Sequence, residues 1–140
     1  GLAEYLDEVK LEAHKKGYTE TFFGRRRYFE GFKSKLPYVR AAAERMAINA
    51  PIQGTEADII KLAMVRIDKH LQGNKLEGKI SMLLQVHDEL VFEIDQDLVK
   101  KAAVEIQKIM ESTINPKDTA EIVMKVEVSA GDNWAELEKM

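Results

Sequence analysis

Two short apolar runs, Leu83-Leu84-Gln85-Val86 and Leu90-Val91-Phe92, stand on either side of His87-Asp88-Glu89. Runs this short and this rich in Val, Leu and Phe predict buried strands. The ionisable insert between them predicts a hairpin over residues 79 to 94 with His87, Asp88 and Glu89 at its tip. Two neighbouring carboxylates on a half-buried turn repel by about 4 kcal/mol at ~4 Å and an effective dielectric of ~20, which a bound cation or proton would relieve. Strand phase separates the two acids. Ile80, Met82, Leu84 and Val86 share one face, Asp88 follows in the same phase, and Glu89 points elsewhere. Asp88 is then the primary ligand and Glu89 a supporting neighbour. One carboxylate holds Mg2+ poorly, so such a site needs a second acid from elsewhere. The same residues also fit a polar hairpin tip with no ligand.

The remaining pattern places helices around this hairpin. Leu2, Tyr5, Leu6, Val9 and Ala13 recur at three- and four-residue steps and predict an amphipathic helix over 2–16, stopped by Gly17. Tyr18 to Phe23 and Arg26 to Phe29 form a second, smaller hairpin turning at Gly24-Arg25, followed by a loop from Gly31 to Ser34. Pro37 opens a helix with Val39, Ala42, Met46 and Ala50 on one face, and Pro51 is expected to kink or end it. Thr55-Glu56-Ala57-Asp58 reads as a capping box for a new helix with Ile60, Ala63, Met64, Ile67 and Leu71 inward. Asp95 or Asp97 caps a helix through Met110 with Val99, Ala102, Ala103, Ile106 and Met110 inward. A turn at Asn115 to Asp118 precedes an alternating strand through Ile122, Met124, Val126 and Val128. The expected class is α+β, a small antiparallel sheet with a central β-hairpin backed by helices.

A chain of 140 residues, 45% hydrophobic and 32% charged, suits one domain with a core. No apolar run approaches the ~20 residues that cross a membrane, and charges arrive early at Glu4, Asp7, Glu8 and Lys10, unlike a secretory leader. With no cysteine, disulfides and thiolate metal sites are excluded; the expected location is cytoplasmic. The net charge of −3 is uneven: Lys15 to Arg45 holds nine Lys or Arg against three Glu. That segment is either an anion-binding surface, nucleic acid being one candidate, or a solvated charged face.

Two further groups carry donors. Arg45, Asn49 and Gln53 are four residues apart and share a slowly drifting stripe if the helix continues past Pro51. Such a stripe serves phosphates or base edges, or is an exposed polar face. Arg25-Arg26-Arg27 lies beside Phe22, Phe23, Tyr28 and Phe29. Arg with aromatics on a hairpin fits nucleic-acid backbone contact; it also fits a solubilising edge strand. No phosphate-binding glycine loop, zinc-like cluster, or Ser or Cys nucleophile motif is present.

Three blocks together, Gly17 to Tyr28 (GYTETFFGRRRY), Ala42 to Asp58 (AAERMAINAPIQGTEAD) and Gln85 to Leu90 (QVHDEL), resemble the C-terminal part of family A DNA polymerases in order and spacing. The resemblance runs to Trp134. It implies that Asp88 binds the catalytic divalent ions, Mg2+, with Glu89 close by and His87 near the primer terminus. It implies that Arg45, Asn49 and Gln53 contact template and primer, with Arg25 and Arg26 as further DNA-binding residues. The implied partners are a DNA primer–template and dNTP, without a membrane. The run of type Asp-Tyr-Ser-Gln-Ile-Glu that carries the family's other metal-binding aspartate has no counterpart here, nor has the fingers helix with its Lys and Tyr. The expectation is a single C-terminal portion over 1–140, with residues 1–36 a fingers-side helix and basic hairpin and 37–140 the palm portion. By itself it is expected to be inactive and to self-associate through surface that meets the absent parts. A free-standing nucleic-acid-binding module is the competing expectation, and a phosphodiesterase using Asp88 and Glu89 a third.

Overall fold

The computed structural model describes residues 1–119 and 121–140, the side chains of Leu2 and Ala3 excepted. Leu2, the first member of the predicted stripe, therefore lies outside the described side chains. The chain divides into two compact units, Gly1–Asp58 and Ile59–Met140. The class is α+β, with three α-helices and, among the described residues, three separate antiparallel strand pairs. No helix among these residues is long and apolar enough to cross a membrane.

In the first unit, α1 (Leu2–Lys16) carries Glu4 in its first turn and His14, Lys15 and Lys16 in its last, the charge order that the helix dipole favours. Gly17 ends it in the left-handed conformation (φ 77°) and returns its N–H to the Ala13 carbonyl at 2.8 Å. Strands β1 (Tyr18–Glu20) and β2 (Arg26–Tyr28) pair with Thr19 opposite Arg27. The segment expected as loop is instead a 3-10 turn, Glu30–Lys33, which buries Phe32.

Helix α2 (Pro37–Gly73) starts at the predicted proline and runs unbroken through Pro51. Two expectations fail here. The buried face of its first half is Ala43, Ala47 and Ala50, packed with Ala13, Phe29 and Phe32. Met46, expected inward, is 44% exposed, and its Sδ lies 3.8 Å from Arg27 Nη2. The alanine face wins because the 3-10 turn approaches closely: a Cβ built on Gly31 would stand 3.0 Å from the Ala43 Cβ.

Nor does Pro51 end the helix. An internal proline costs roughly 3 kcal/mol through its missing donor and its ring. Burial of Ala47 and Ala50 before it, and side-chain ties to residues after it, offset that cost. Thr55 and Asp58 make those ties and are not caps. The Thr55 hydroxyl donates to the Pro51 carbonyl at 2.6 Å and accepts the Phe22 N–H at 2.9 Å. Asp58 Oδ1 accepts from Arg25 Nε at 2.7 Å.

These ties need a close approach at Gly54. A Cβ there would fall 2.6 Å from Thr21 Cγ2 and 3.3 Å from Arg25 Nη2. Thr21 is buried and β-branched, so it cannot swing aside. Gly54→Ala is therefore expected to destabilise the chain by about 1–3 kcal/mol through overpacking, against the gain in helix propensity that alanine brings on an exposed helix. Urea denaturation of the two proteins measures it, and an unchanged or higher midpoint overturns the close-approach argument.

In the second unit, Ile60, Ala63, Ile67 and Leu71 of the predicted stripe are buried as expected, while its fifth member, Met64, is only half-buried. Ile67 and Leu71 pack with Ile80, Ala102 and Ile106, with Met82, Leu90, Phe92, Ile94, Ile109 and Met110 around them. The central hairpin, β3 (Ile80–Val86) and β4 (Glu89–Ile94), is thus backed by α2 and α3 (Val99–Glu111). Neither Asp95 nor Asp97 caps α3, whose N-cap is Leu98 with no side-chain bond. Its other end is closed by Arg66, which donates to the Ser112 carbonyl at 2.8 Å; a cation suits that pole. His70 Nε2 meets Glu105 at 3.1 Å and ties α2 to α3.

Asn115 opens a 3-10 turn, Pro116–Thr119. The strand expected over 122–128 keeps its alternation only from Met124, with Met124, Val126 and Val128 half-buried between exposed neighbours; Ile122, expected on the same face, is exposed, and the segment has no ladder. The α3 side chains take its place: Val126 donates to Glu111 and accepts from Gln107. Pairing begins only at β5 (Ser129–Ala130), opposite β6 (Glu138–Lys139).

Candidate functional site

The acidic turn sits where the hairpin predicts, but differs in two ways. Val86 pairs with Glu89, leaving a two-residue connection, His87-Asp88. His87 takes a positive φ of 52°, which two-residue hairpin turns need at their first position and which costs a non-glycine residue. Gln85 Nε2 donates to the His87 carbonyl at 3.0 Å and helps close the turn. The register shifts between Met82, opposite Phe92, and Leu84, opposite Val91. Leu83 is the additional residue, so the predicted phase from Ile80 to Asp88 is interrupted.

The second difference is exposure. Leu83, Leu84 and Gln85 are exposed, as are His87, Asp88 and Glu89. The strand end is not buried and neither is the turn. For charges ~4 Å apart in bulk water the repulsion falls to about 1 kcal/mol, so folding by itself asks for no cation. Among the described residues no three His, Cys, Asp or Glu gather as a metal cluster.

The basic and polar groups belong to the first unit. Because α2 continues through Pro51, the condition for one stripe is met, and Arg45, Asn49 and Gln53 all lie exposed along it. Arg26 pairs with Glu20 at 2.6 Å and lies over the Tyr18 ring, 4.6 Å from its centroid. The bond to Glu20, then that to Tyr28, raises the Arg26 pKa and holds it charged. Arg27 lies over Phe29 at 5.5 Å. Arg25 reaches α2: its Nε bonds Asp58 and its Nη2 donates to the Gly54 carbonyl at 3.0 Å.

The first unit thus brings Arg25, Arg27 and the Gln53 end of the stripe, but not Arg26, to one cleft of about 220 Å3, lined by Thr19, Glu20, Arg25, Arg27, Gln53 and Gly54 among others. Sequence reasoning missed the parts played by Gly54, Thr55 and Asp58. Their signal was the i, i+1, i+4 spacing of a glycine, a hydroxyl and an acid directly after Pro51, which marks a contact face as readily as a cap.

The model of the family described as DNA polymerase family A matches residues 1–136. DNA polymerase I of Rhizobium leguminosarum is 43% identical over 136 residues, covering 97% of this chain and 13% of that protein. The thermostable DNA polymerase I of Thermus thermophilus is 45% identical over 130 residues, covering 93% and 15%. Among solved structures, the POL domain of Pol1 from M. smegmatis, in complex with DNA primer-template and dNTP, superimposes with a TM-score of 0.76 at 42% identity. That match covers 81% of this chain and 20% of that one. The chain spans about a seventh of the length of these curated relatives. With a family model matched across nearly its whole length, the chain belongs to DNA polymerase family A.

Proposed function

We propose that this chain is the C-terminal portion of a DNA-directed DNA polymerase that extends a primer 3′ end in replication and repair. Residues 37–140 are its palm portion, and residues 1–36 a fingers-side helix and hairpin. The observation that carries the reading is the unbroken, exposed stripe of Arg45, Asn49 and Gln53 in a chain matched to family A from residue 1 to 136. Arg offers a charged fork to phosphate, while Asn and Gln offer paired donors and acceptors to base edges. The solved relative holds primer-template and dNTP, and the same two partners are assigned here.

Asp88 offers a hard carboxylate oxygen on an exposed turn, with His87 and Glu89 on either side of it; His87 takes the part of the residue near the primer terminus. This donor set fits one edge of a Mg2+ shell, the rest coming from water, nucleotide phosphates and an acid outside the chain. Bound there, such ions would supply activation of the attacking hydroxyl and stabilisation of the leaving group. The chain's own residues hold the exposed carboxylate on a closed turn and present the stripe to the duplex. With Asp88 as the sole primary ligand, the isolated 140 residues are inactive.

Primer–template affinity in the complete polymerase tests this. Arg45→Ala is expected to weaken binding and to lower the salt dependence by about one unit. Asn49→Ala and Gln53→Ala are expected to weaken it roughly tenfold with the salt slope unchanged. Wild-type affinity in all three would remove the reading.

A further inference from the structure

We propose that Arg25 and Asp58 form a latch that fixes the Gln53 end of the α2 stripe for nucleic acid, so that both are positioning residues and Arg25 does not contact the ligand. The proposal rests on the reading of Arg45, Asn49 and Gln53 as the nucleic-acid stripe.

The need for a latch follows from Pro51. It has no N–H for the Ala47 carbonyl and its ring crowds the preceding turn, two residues before Gln53. Thr55 bonds back to the Pro51 carbonyl, an arrangement that bends helices more than it stiffens them. Backbone bonding alone therefore fixes the direction of Gln53 less well than that of Arg45. Rigidity has to come from outside the helix, and the turn between β1 and β2 supplies it.

That turn is itself closed by three bonds. The Thr21 N–H donates to the Arg25 carbonyl and the Gly24 N–H to the Thr21 carbonyl, each at 2.9 Å. The Arg25 N–H donates to Thr21 Oγ1 at 3.1 Å. Gly24, with φ 81°, makes the reversal. From this platform Arg25 places one guanidinium nitrogen on Asp58 at 2.7 Å and another on the Gly54 carbonyl at 3.0 Å. Phe22 adds its N–H to Thr55. The platform thus grips residues 54, 55 and 58, the turn directly after Gln53, and Gln53 lines the cleft between turn and helix.

Electrostatics decides between latch and ligand contact. The Asp58 side chain is only 12% exposed, whereas that of Arg25 is 53% exposed. Drawing Arg25 away to an exposed phosphate would take the guanidinium at 2.7 Å from a mostly buried carboxylate. Removing one partner of a buried pair costs more than one solvent-screened phosphate contact returns. Arg25 therefore stays on Asp58, and its charge is already matched inside the protein.

The test uses the complete polymerase and measures primer–template Kd against salt for Arg25→Gln, Asp58→Asn, Gln53→Ala and their pairs. A latch predicts that Arg25→Gln and Asp58→Asn each weaken binding by about tenfold, in the same direction although they remove opposite charges. The salt slope stays unchanged, and Arg25→Lys, which keeps one bond, recovers part of the loss. In the Gln53→Ala background either change costs less than about twofold further, because its effect runs through Gln53.

A salt slope lowered by about one unit in Arg25→Gln, with Asp58→Asn binding as well or better, makes Arg25 a direct phosphate contact and overturns the proposal. Losses that multiply with Gln53→Ala overturn it as well, since a merely structural role multiplies. Wild-type affinity in Gln53→Ala strikes at the stripe reading itself. Failure of the latch alone shows as a harmful Gln53→Ala beside a harmless Arg25→Gln.

Discussion

Replacing Asp88 by Asn in the complete polymerase is expected to lower primer extension on the order of a thousandfold, while primer–template binding holds or tightens. The substitution keeps the size and the turn propensity of the residue, so the His87-Asp88 connection and its positive φ at His87 survive. What it removes is the anionic oxygen. An amide is a far weaker ligand for a hard divalent cation than a carboxylate. Losing one charged ligand from a phosphoryl-transfer site costs several kcal/mol of transition-state stabilisation, and each ~1.4 kcal/mol is a factor of ten. Binding moves the other way because a negative charge near the primer has gone. Glu89→Gln, one residue on and already within β4, is expected to cost about tenfold. Single-turnover extension separates the two, since it reads chemistry apart from DNA association. Near-normal turnover in Asp88→Asn would end the assignment of Asp88 as ligand. Comparable losses at both acids would mean that the pair, and not Asp88, carries the ion.

The features that local pattern made legible are those that local chemistry decides. Gly17 stops α1 because it turns the chain into the left-handed conformation, φ 77°, which a glycine adopts without a Cβ penalty. Ile60, Ala63, Ile67 and Leu71 are inward because they recur at three- and four-residue steps along one face of α2. The hairpin around His87-Asp88 follows from two short apolar runs and a polar break. What stayed hidden depends on residues far apart in sequence. Pro51 breaks a helix by local rules, and here it does not, because residues 22 and 25 grip the helix from 33 positions away. Thr55 and Asp58 spell a cap locally and serve that grip instead. The exposure of Leu83 and Leu84 is equally non-local: composition marks them as core, but the cluster around Ile67 takes Ile80 and Met82 from β3 and Leu90, Phe92 and Ile94 from β4, and leaves Leu83 and Leu84 exposed. The site was legible in residue type, one acid with a neighbour and one polar stripe.

Ile67→Ala is expected to be among the most damaging single truncations for stability, because Ile67 is the largest side chain that is completely buried among the described residues. The change removes three carbons from the centre of the cluster made with Leu71, Ile80, Ala102 and Ile106. Such truncations cost about 2–5 kcal/mol, the transfer of the lost carbons plus the cavity they leave. Alanine's better helix propensity returns only a few tenths. Against a total of roughly 5–15 kcal/mol for a domain of this size, that is a large share. The surrounding groups cannot close the gap cheaply: Ile80 is pinned in the ladder opposite Ile94, and Ala102 has no atoms to spare. Leu84→Ala is the matched contrast, an equal loss of carbons at a residue 49% exposed, expected to cost under about 1 kcal/mol. Because the chain has two compact units, the loss belongs in the second, and amide hydrogen exchange across β3, β4 and α3 locates it. Protection there should fall by two to three orders of magnitude in Ile67→Ala and by less than one in Leu84→Ala. Equal losses would mean that Leu84 is packed as deeply as Ile67. A loss confined to residues 1–58 would mean that the α2 stripe does not back the hairpin that carries Asp88.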